Sequence, residues 1–281
     1  MTTTTHARWG RSAGPRTRAA VPLRLRSAAV LSVVSLAGLL MFLWPLLLRV
    51  RVEGQTVQPP FVFVLLLPVV ILVCLAEFTE GGMDSKVLAM LGVLTAINAV
   101  MRGLSAGMAG VELVFFLLIL GGRVFGAGFG FVLGCTSLFA SALLTAGVGP
   151  WLPFQMLASA WVGMGAGLLP RRVTGRREIA MLVVYGIVAA YGFGLVMNMS
   201  SWPFTLGIEV PGHSGGLSFV PGAPLLENLH RFGVYTLLTS TGSWDTGRAI
   251  TNTVALVVLG PAVLTTLRRA VRRATVTVTA T

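Results

Sequence analysis

The sequence predicts an all-α integral membrane protein, and three observations support this fold class. The 281 residues are 55% hydrophobic and only 11% charged, whereas average soluble domains carry roughly 25% charged residues. Uncharged runs recur along the chain, and about 20 apolar residues cross the hydrocarbon core as a helix. The runs lack the apolar/polar alternation of barrel strands, and lipid leaves every backbone polar group to be satisfied internally. We therefore expect a bundle of about eight transmembrane segments.

The predicted segments divide the chain into two tails, a hairpin and a core. Residues 1–26 form a basic tail, and residues 27–48 and 59–79 form an N-terminal transmembrane hairpin over 27–79. A six-helix core follows over 85–270, and residues 271–281 form a C-terminal tail. The core segments are 85–104, 110–122, 124–146, 152–170, 178–199 and 248–268.

Proline and glycine mark the connections between the core segments. The sequence AGVGPWLP at 146–153 divides an apolar run that is too long for one crossing. Segment 110–122 is short for a crossing, so we expect it to be tilted, re-entrant or shielded by its neighbours. The long external loop 200–247 is either a lid or a solvated connection. A short amphipathic helix is predicted within it by the helical spacing of Leu225, Leu226, Leu229 and Phe232.

The basic residues indicate the orientation of the chain. The net charge is +12, and arginines cluster before the first span, in RRVTGRR at 171–177 and in RRAVRR at 268–273. With a cytoplasmic N-terminus all three clusters fall on the cytoplasmic side, as the positive-inside rule requires. This placement favours a multi-pass cell-membrane protein with both termini in the cytoplasm, and it argues against a nucleic-acid interface.

No motif for nucleotide hydrolysis, metal binding or a disulfide framework is present, and no cofactor is predicted. The lone lysine, Lys86, does not follow a glycine-rich loop, so a Walker A sequence is absent. His213, Glu227 and His230 lack the second half of a zinc motif, which favours surface or capping roles. The two cysteines, at positions 74 and 135, lie in apolar runs without CxxC spacing and are expected to be packing residues.

Small residues at four-residue spacing predict close helix packing. The glycines of GGRVFGAGFGFVLG at 121–134 recur along one helical face, and no strand precedes them, so we favour packing over a phosphate-binding loop. The same geometry is predicted for Gly163 with Gly167 and for Gly92 with Ala96. The repeating glycines of the first motif are Gly126, Gly130 and Gly134.

Polar residues near the expected outer ends of several segments predict a small-molecule pocket. Ionisable and amide groups at membrane depth are costly and usually functional, and converging polar and aromatic groups line ligand pockets. Arg102 and Glu112 either contact a ligand or form an ion pair that only joins two helices. Tryptophan at this depth also serves as an interface anchor. The candidates are Asn98, Arg102, Glu112, Trp151, Gln155 and Asn198.

Three motifs resemble a known family. They are AINAVMRG at 96–103, FFLLILGGRVFGAGFGFVLG at 115–134 and GVGPWLPFQMLASAWVGMGAGLLP at 147–170. They are similar to the substrate-specific S components of energy-coupling-factor (ECF) vitamin transporters, in the riboflavin-type and cobalamin-type branches. The resemblance implies a six-helix core without enzymatic activity that captures a vitamin or vitamin precursor outside the cell. It also implies a membrane T subunit and two cytoplasmic ATPase subunits as partners.

The resemblance also implies a docking face for the T subunit. The family docks through small residues of its first core helix, and the matching positions are Ala89, Gly92, Ala96 and Ala99. These positions lack a strict AxxxA spacing, although GxxxA gives comparable close approach. The hairpin 27–79 is an addition to the family's minimal pattern.

Two other classes of function remain open at this stage. An integral-membrane enzyme would use Glu227, His230 or Asp245 in the external loop. A purely structural membrane subunit would retain no small ligand.

Overall fold

The computed structural model describes residues 19–21, 23–47, 52–53, 56–57, 69, 85–105, 110–204 and 216–276. Within these ranges the only strands are β1 (Val52–Glu53) and β2 (Thr56–Val57), which pair antiparallel. A 3₁₀ turn, Trp202–Phe204, extends α7, and a π-helix, Leu237–Asp245, joins α8 to α9. The α-helices are α1 (Leu25–Phe42), α2 (Trp44–Leu47), α3 (Ser85–Ser105), α4 (Val114–Phe125), α5 (Ala127–Leu144), α6 (Leu152–Leu168), α7 (Arg176–Ser201), α8 (Leu225–Thr236), α9 (Thr246–Val258) and α10 (Gly260–Val276).

The predicted all-α membrane fold is confirmed. Among the described residues, four helices are long and apolar enough to span a membrane, and one bent pair is a further candidate. Predicted segments 85–104, 124–146, 152–170 and 178–199 correspond to α3, α5, α6 and α7. The first segment is divided into α1 and α2 at Leu43. Segment 59–79, which includes Cys74, lies outside the described residues except for position 69.

The last crossing differs from the predicted helix 248–268. The chain is helical from Leu225 through the π-helix to Val258, and α10 then turns away by 64°. Gly260 and Pro261 account for the break, because proline lacks a backbone N–H and its ring clashes with the carbonyl four residues earlier. The amphipathic helix expected near Leu225 is present as α8. It continues into the final crossing, so only part of the predicted loop 200–247 is a loop.

The central helix α4 is short but fully enclosed. All 12 of its residues are buried, so shielding by the neighbouring helices accounts for a length below that of a full crossing. At its end the backbone N–H groups of Ala20 and Val21 donate to the carbonyls of Val124 and Phe125, at 3.3 and 2.8 Å. These bonds satisfy carbonyls that a helix terminus otherwise leaves unpaired.

Helices α5 and α6 pack backbone to backbone. A Cβ atom added to either Gly130 or Gly163 would overlap the main chain of the other, and a Cβ on Gly134 would lie 2.5 Å from the Cα of Ala160. The packing role predicted for these glycines is confirmed. Gly126 differs, because it forms the turn between α4 and α5 with a φ of +119°, a conformation that favours glycine.

Helix α1 packs against the outside of this core. The indole Nε1 of Trp161 donates to the Ser35 hydroxyl at 3.1 Å, and the rings of Phe42 and Phe154 meet edge to face, 4.9 Å between centroids. Immediately after α1, the Trp44 indole donates to the Ser200 carbonyl at 3.1 Å. The first helix of the predicted hairpin is therefore joined to the core by specific contacts.

Candidate functional site

A cavity of about 420 Å³ lies at one end of the bundle. Successive helices alternate in direction, so the end of α3, the start of α4, the end of α5 and the start of α6 meet there. The π-helix and α9 complete the wall. The lining residues are Arg102, Val111, Glu112, Val114, Leu138, Thr145, Gly147, Trp151, Gln155, Ser159, Phe193, Trp244 and Arg248. Arg102, Glu112, Trp151 and Gln155, predicted from the sequence, thus lie around one cavity.

Arg102 joins three helices at the cavity wall. Its Nη1 donates to the Ser141 hydroxyl on α5 at 3.0 Å, and its Nη2 donates to Oε1 of Gln155 on α6 at 3.1 Å. Both partners are neutral, so these two bonds orient the guanidinium without neutralising its charge. The guanidinium is thereby held in place at the cavity wall.

Glu112 pairs with Arg248 and not with Arg102, so the ion-pair alternative considered for Arg102 and Glu112 does not hold. The Nε of Arg248 lies 2.6 Å from Oε2 of Glu112, and its Nη1 lies 3.1 Å from Oδ1 of Asp245. The cause is a close backbone approach before α4: a Cβ on Gly110 would lie 2.7 Å from the Cα of Gly247. This approach brings the first turn of α9, and with it Arg248, to Glu112.

The Arg248 side chain is held from several directions. Its guanidinium carbon lies 5.4 Å from the ring centroid of Phe115 and 4.8 Å from that of Phe193, within the range of cation–π attraction. The Ser240 hydroxyl donates to Asp245 at 2.9 Å, and the amide of Asn252 donates to the Glu112 carbonyl at 2.7 Å. Such a connected polar network fixes its members in one geometry.

Aromatic side chains form the rest of the cavity wall. Trp151 is 51% exposed and Trp244 is 44% exposed, and both line the cavity together with Phe193. Rings with exposed faces offer large, rigid apolar contact area. The cavity thus combines aromatic surface with three charged side chains, a composition suited to a flat, polar-edged small molecule.

Asn98 and Asn198, also predicted for the site, do not line this cavity. Asn98 is fully buried one turn below Arg102, and neither of its amide atoms has a hydrogen-bond partner among the described residues. Asn198 follows the cavity residue Phe193 by five positions, or about 7.5 Å along a helix. Helix α7 therefore carries it past the cavity.

Several residues of the cavity were not predicted from the sequence. Arg248 and Trp244 carried a usable signal, because a charge and an interface aromatic next to an apolar run are functional candidates. Phe193, Thr145 and Ser159 carried none, since nothing distinguishes them from other packing residues in the apolar segments. Whether these side chains reach the cavity depends on the rotation of each helix about its own axis.

Comparison with known families decides the identity of the chain. Residues 86–280 match the sequence model of a family described as ECF transporter, substrate-specific component. This span is more than half of the 281 residues and begins at the start of α3. The chain belongs to this family. No curated protein and no solved structure matches it.

As an ECF substrate-specific component, or S component, the protein is a binding subunit of a transporter and not an enzyme. The residues considered for catalysis are not gathered at the cavity. Glu227 is exposed and pairs with Arg231 at 2.8 Å, His230 is exposed, and Asp245 is buried against Arg248. His213 lies outside the described residues.

S components work together with a T subunit and ATPases, and α3 presents a face of small residues. Ala89, Gly92 and Ala96 are exposed, and a Cβ on Gly92 would meet nothing within 4 Å. Ala99 differs from the prediction, because it is only 1% exposed and faces the core. Of the four predicted docking positions, the first three are therefore exposed.

At the opposite end of the S component, called the closed end because the first cavity does not reach it, Arg123 is enclosed by protein atoms. Its Nε lies 2.6 Å from Oε1 of Glu178, and its terminal nitrogens donate to the carbonyls of Leu169, Pro170 and Val173 at 3.0, 3.1 and 2.9 Å. Arg268 of α10 binds the same Glu178 oxygen at 2.6 Å. The loop between α6 and α7 is thereby fastened to α4 and α10.

Proposed function

We propose that this S component captures a vitamin or vitamin precursor in the cavity bounded by Arg102 and the Glu112–Arg248 pair. The observation that carries the proposal is the convergence of charged, amide and aromatic groups from different helices on one cavity. Pockets for small molecules are lined in this way, with few polar groups fixing the orientation of a mainly apolar contact.

The charge distribution supports an outward-facing cavity. The arginines of the loop between α6 and α7 and those of α10 lie at the other end of the bundle. Arginine-rich connections face the cytoplasm in most membrane proteins. With this orientation the cavity faces the outside of the cell membrane and both termini are cytoplasmic.

The size of the cavity favours a riboflavin-like substrate. Its volume of about 420 Å³ falls in the lower part of the roughly 300–1,000 Å³ range of small-molecule pockets. A flavin is a flat heterocycle with hydrogen-bonding groups along one edge, which suits the aromatic walls and the polar set of Arg102, Glu112 and Gln155. A cobalamin-like corrinoid is several times larger and would require the helices to separate, so it is the second candidate.

Transport would depend on partners, in keeping with the family. The chain has no Walker A sequence, so we propose that a T subunit and two cytoplasmic ATPase subunits supply the energy. The exposed face of Ala89, Gly92 and Ala96 on α3 is the proposed contact with the T subunit, because small residues let membrane helices approach closely.

Ligand binding by the purified protein tests the capture step. Mass spectrometry would identify retained small molecules, and titration with riboflavin and with cobalamin would be followed by tryptophan fluorescence. Arg102→Ala should weaken binding, whereas Arg172→Ala, an exposed arginine at the opposite end, should not. The absence of binding by either compound, with no small molecule retained, would favour the structural-subunit alternative and overturn the proposal.

A vitamin uptake assay, with the T subunit and the two ATPase subunits coexpressed, tests the proposed contact between α3 and the T subunit separately from ligand binding. Gly92→Leu should abolish uptake while leaving riboflavin affinity unchanged, because the added side chain would hold a partner helix away from α3. Val93→Leu is the matched control, since Val93 is also exposed on α3 but is not one of the small residues. Equal uptake by both variants would remove this face from the proposed contact.

A further inference from the structure

A second cavity, of about 400 Å³, lies at the arginine-rich end between the start of α7 and α10. Its walls are largely apolar and include Ile179, Pro261 and Leu264. Arg176, Glu178 and Arg268 also line it, together with the Thr265 side chain. The cavity thus has an apolar interior with a cationic border, and the capture of a vitamin at the opposite end makes no use of it.

Positive charge is in excess around this cavity. Arg123 and Arg268 both bind the single carboxylate of Glu178. The pKa of Arg171 is lowered, first by burial and then by the nearby charges of Arg123 and Arg268, with Glu178 acting in the opposite direction. Arg176, which is exposed, adds a further cation. Among the described residues that line the cavity, the one carboxylate, Glu178, is already bound by Arg123 and Arg268, and Arg176 adds a second lining guanidinium, an arrangement that attracts an anion.

Helix α10 has the geometry of a helix that lies in the membrane interface. It turns by 64° from the preceding crossing and packs against α3 and α4. Leu264 and Leu267 are buried on its inner face, while Arg269 and Arg272 are exposed. Amphipathic helices of this composition lie at the boundary between headgroups and acyl chains. The second cavity is therefore at the depth of lipid headgroups.

We propose that this cavity binds an anionic phospholipid, with the phosphodiester between Arg176 and Arg268 and an acyl chain against Ile179 and Leu264. Basic pockets between transmembrane helices bind acidic headgroups in this way. The apolar walls favour a lipid over free phosphate, which would leave them without a partner. The inference is independent of the identity of the vitamin and of ligand binding in the first cavity.

Native mass spectrometry of the full-length protein in detergent tests this inference. With equal amounts of phosphatidylglycerol and phosphatidylcholine added, the protein should retain phosphatidylglycerol preferentially. Arg176→Gln should lower its retention about fivefold, equivalent to about 1 kcal/mol for one arginine near a membrane surface. Arg177→Gln is the matched control, because Arg177 is also exposed but does not line the cavity, and it should retain the lipid.

Two further experiments distinguish a bound lipid from other occupants of the cavity. Thr265→Trp would fill the cavity from an exposed position without changing its charge, and it should also reduce phosphatidylglycerol retention. Inorganic phosphate added in excess should not displace the lipid. Equal retention of both lipids, equal losses in the Arg176 and Arg177 variants, or displacement by phosphate would each overturn the proposal. Riboflavin affinity, measured alongside, should be the same in all these variants.

Discussion

Each end of the S component has an arginine bound to a carboxylate. The two ends differ in the burial of this ion pair and in how many nitrogens of the arginine donate hydrogen bonds to the protein. At the closed end the side chains of Arg123 and Glu178 are 0% and 2% exposed. At the cavity end those of Arg248 and Glu112 are 9% and 23% exposed. The ion pairs have the same 2.6 Å separation, so distance alone does not distinguish them.

The difference lies in the hydrogen-bond donors of the two arginines. Arg123 donates through its Nε and both terminal nitrogens to protein atoms. The contacts described for Arg248 use only Nε and Nη1. The carboxylates do not differ in this way, because the contacts described for each use a single oxygen, Oε1 of Glu178 and Oε2 of Glu112. An arginine that bonds through all its nitrogens fastens helices together, whereas a partly used arginine beside a cavity has hydrogen-bonding capacity for a ligand. This contrast supports a structural role for Arg123 and the proposed binding role for Arg248.

The largest expected effect is at the closed end. Arg123→Met should lower the free energy of unfolding by about 3 kcal/mol, the lower part of the range for breaking a buried pair, because Arg268 still binds Glu178. Chemical unfolding in detergent micelles would measure the change, with the exposed Arg172→Met as control. A loss below about 1 kcal/mol would mean that the buried pair behaves like a surface pair.

A smaller effect, on binding more than on stability, is expected at the cavity end. Glu112→Gln should weaken riboflavin binding by roughly tenfold to a hundredfold, since a hydrogen bond to a charged group contributes about 1.5–3 kcal/mol. Stability should fall less, because Arg248 keeps Asp245 as a partner. Titration calorimetry would compare this variant with Glu227→Gln, whose carboxylate forms an exposed pair. Equal affinities in the two variants would place Glu112 outside the binding site.

The smallest expected effect concerns the aromatic wall. Trp151→Ala should reduce riboflavin affinity by about 1 kcal/mol, the typical contribution of a contact between aromatic rings, with no change in the closed end. Val148→Ala is the control, because Val148 is exposed nearby but does not line the cavity. A fluorescence titration that gives one affinity for both variants would assign Trp151 to the membrane interface instead.

The fold was predictable wherever a single apolar run formed a single helix. Segment 85–104 agrees with α3 to within one residue, because its run is uncharged between Lys86 and Arg102. The break near Leu259 was missed, because apolar residues continue on both sides of it. Hydropathy reports how apolar a segment is but not the direction of its helix axis. Pro261 was the available signal, because proline ends or kinks a helix.

The site was predictable only in part, for a different reason. Arg102 and Gln155 were found because polar groups at membrane depth are rare and stand out in the sequence. The ion pair considered between Arg102 and Glu112 does not form, because the contact of Gly110 with Gly247 brings Arg248 to Glu112 instead. That contact joins residues far apart in the sequence, so no local pattern records it.

The glycine contact between α5 and α6 has a mechanical consequence. No side chain separates Gly130 from Gly163, so a change of rotamer cannot accommodate a displacement of one helix relative to the other. We therefore expect α5 and α6 to move together as one rigid body. Arg102 is bonded to both of these helices, so widening of the entrance for a substrate then requires motion of the wall that carries Trp244. Trp244 lies on the π-helix, and such segments depart from regular α-helical bonding and recur at functional sites.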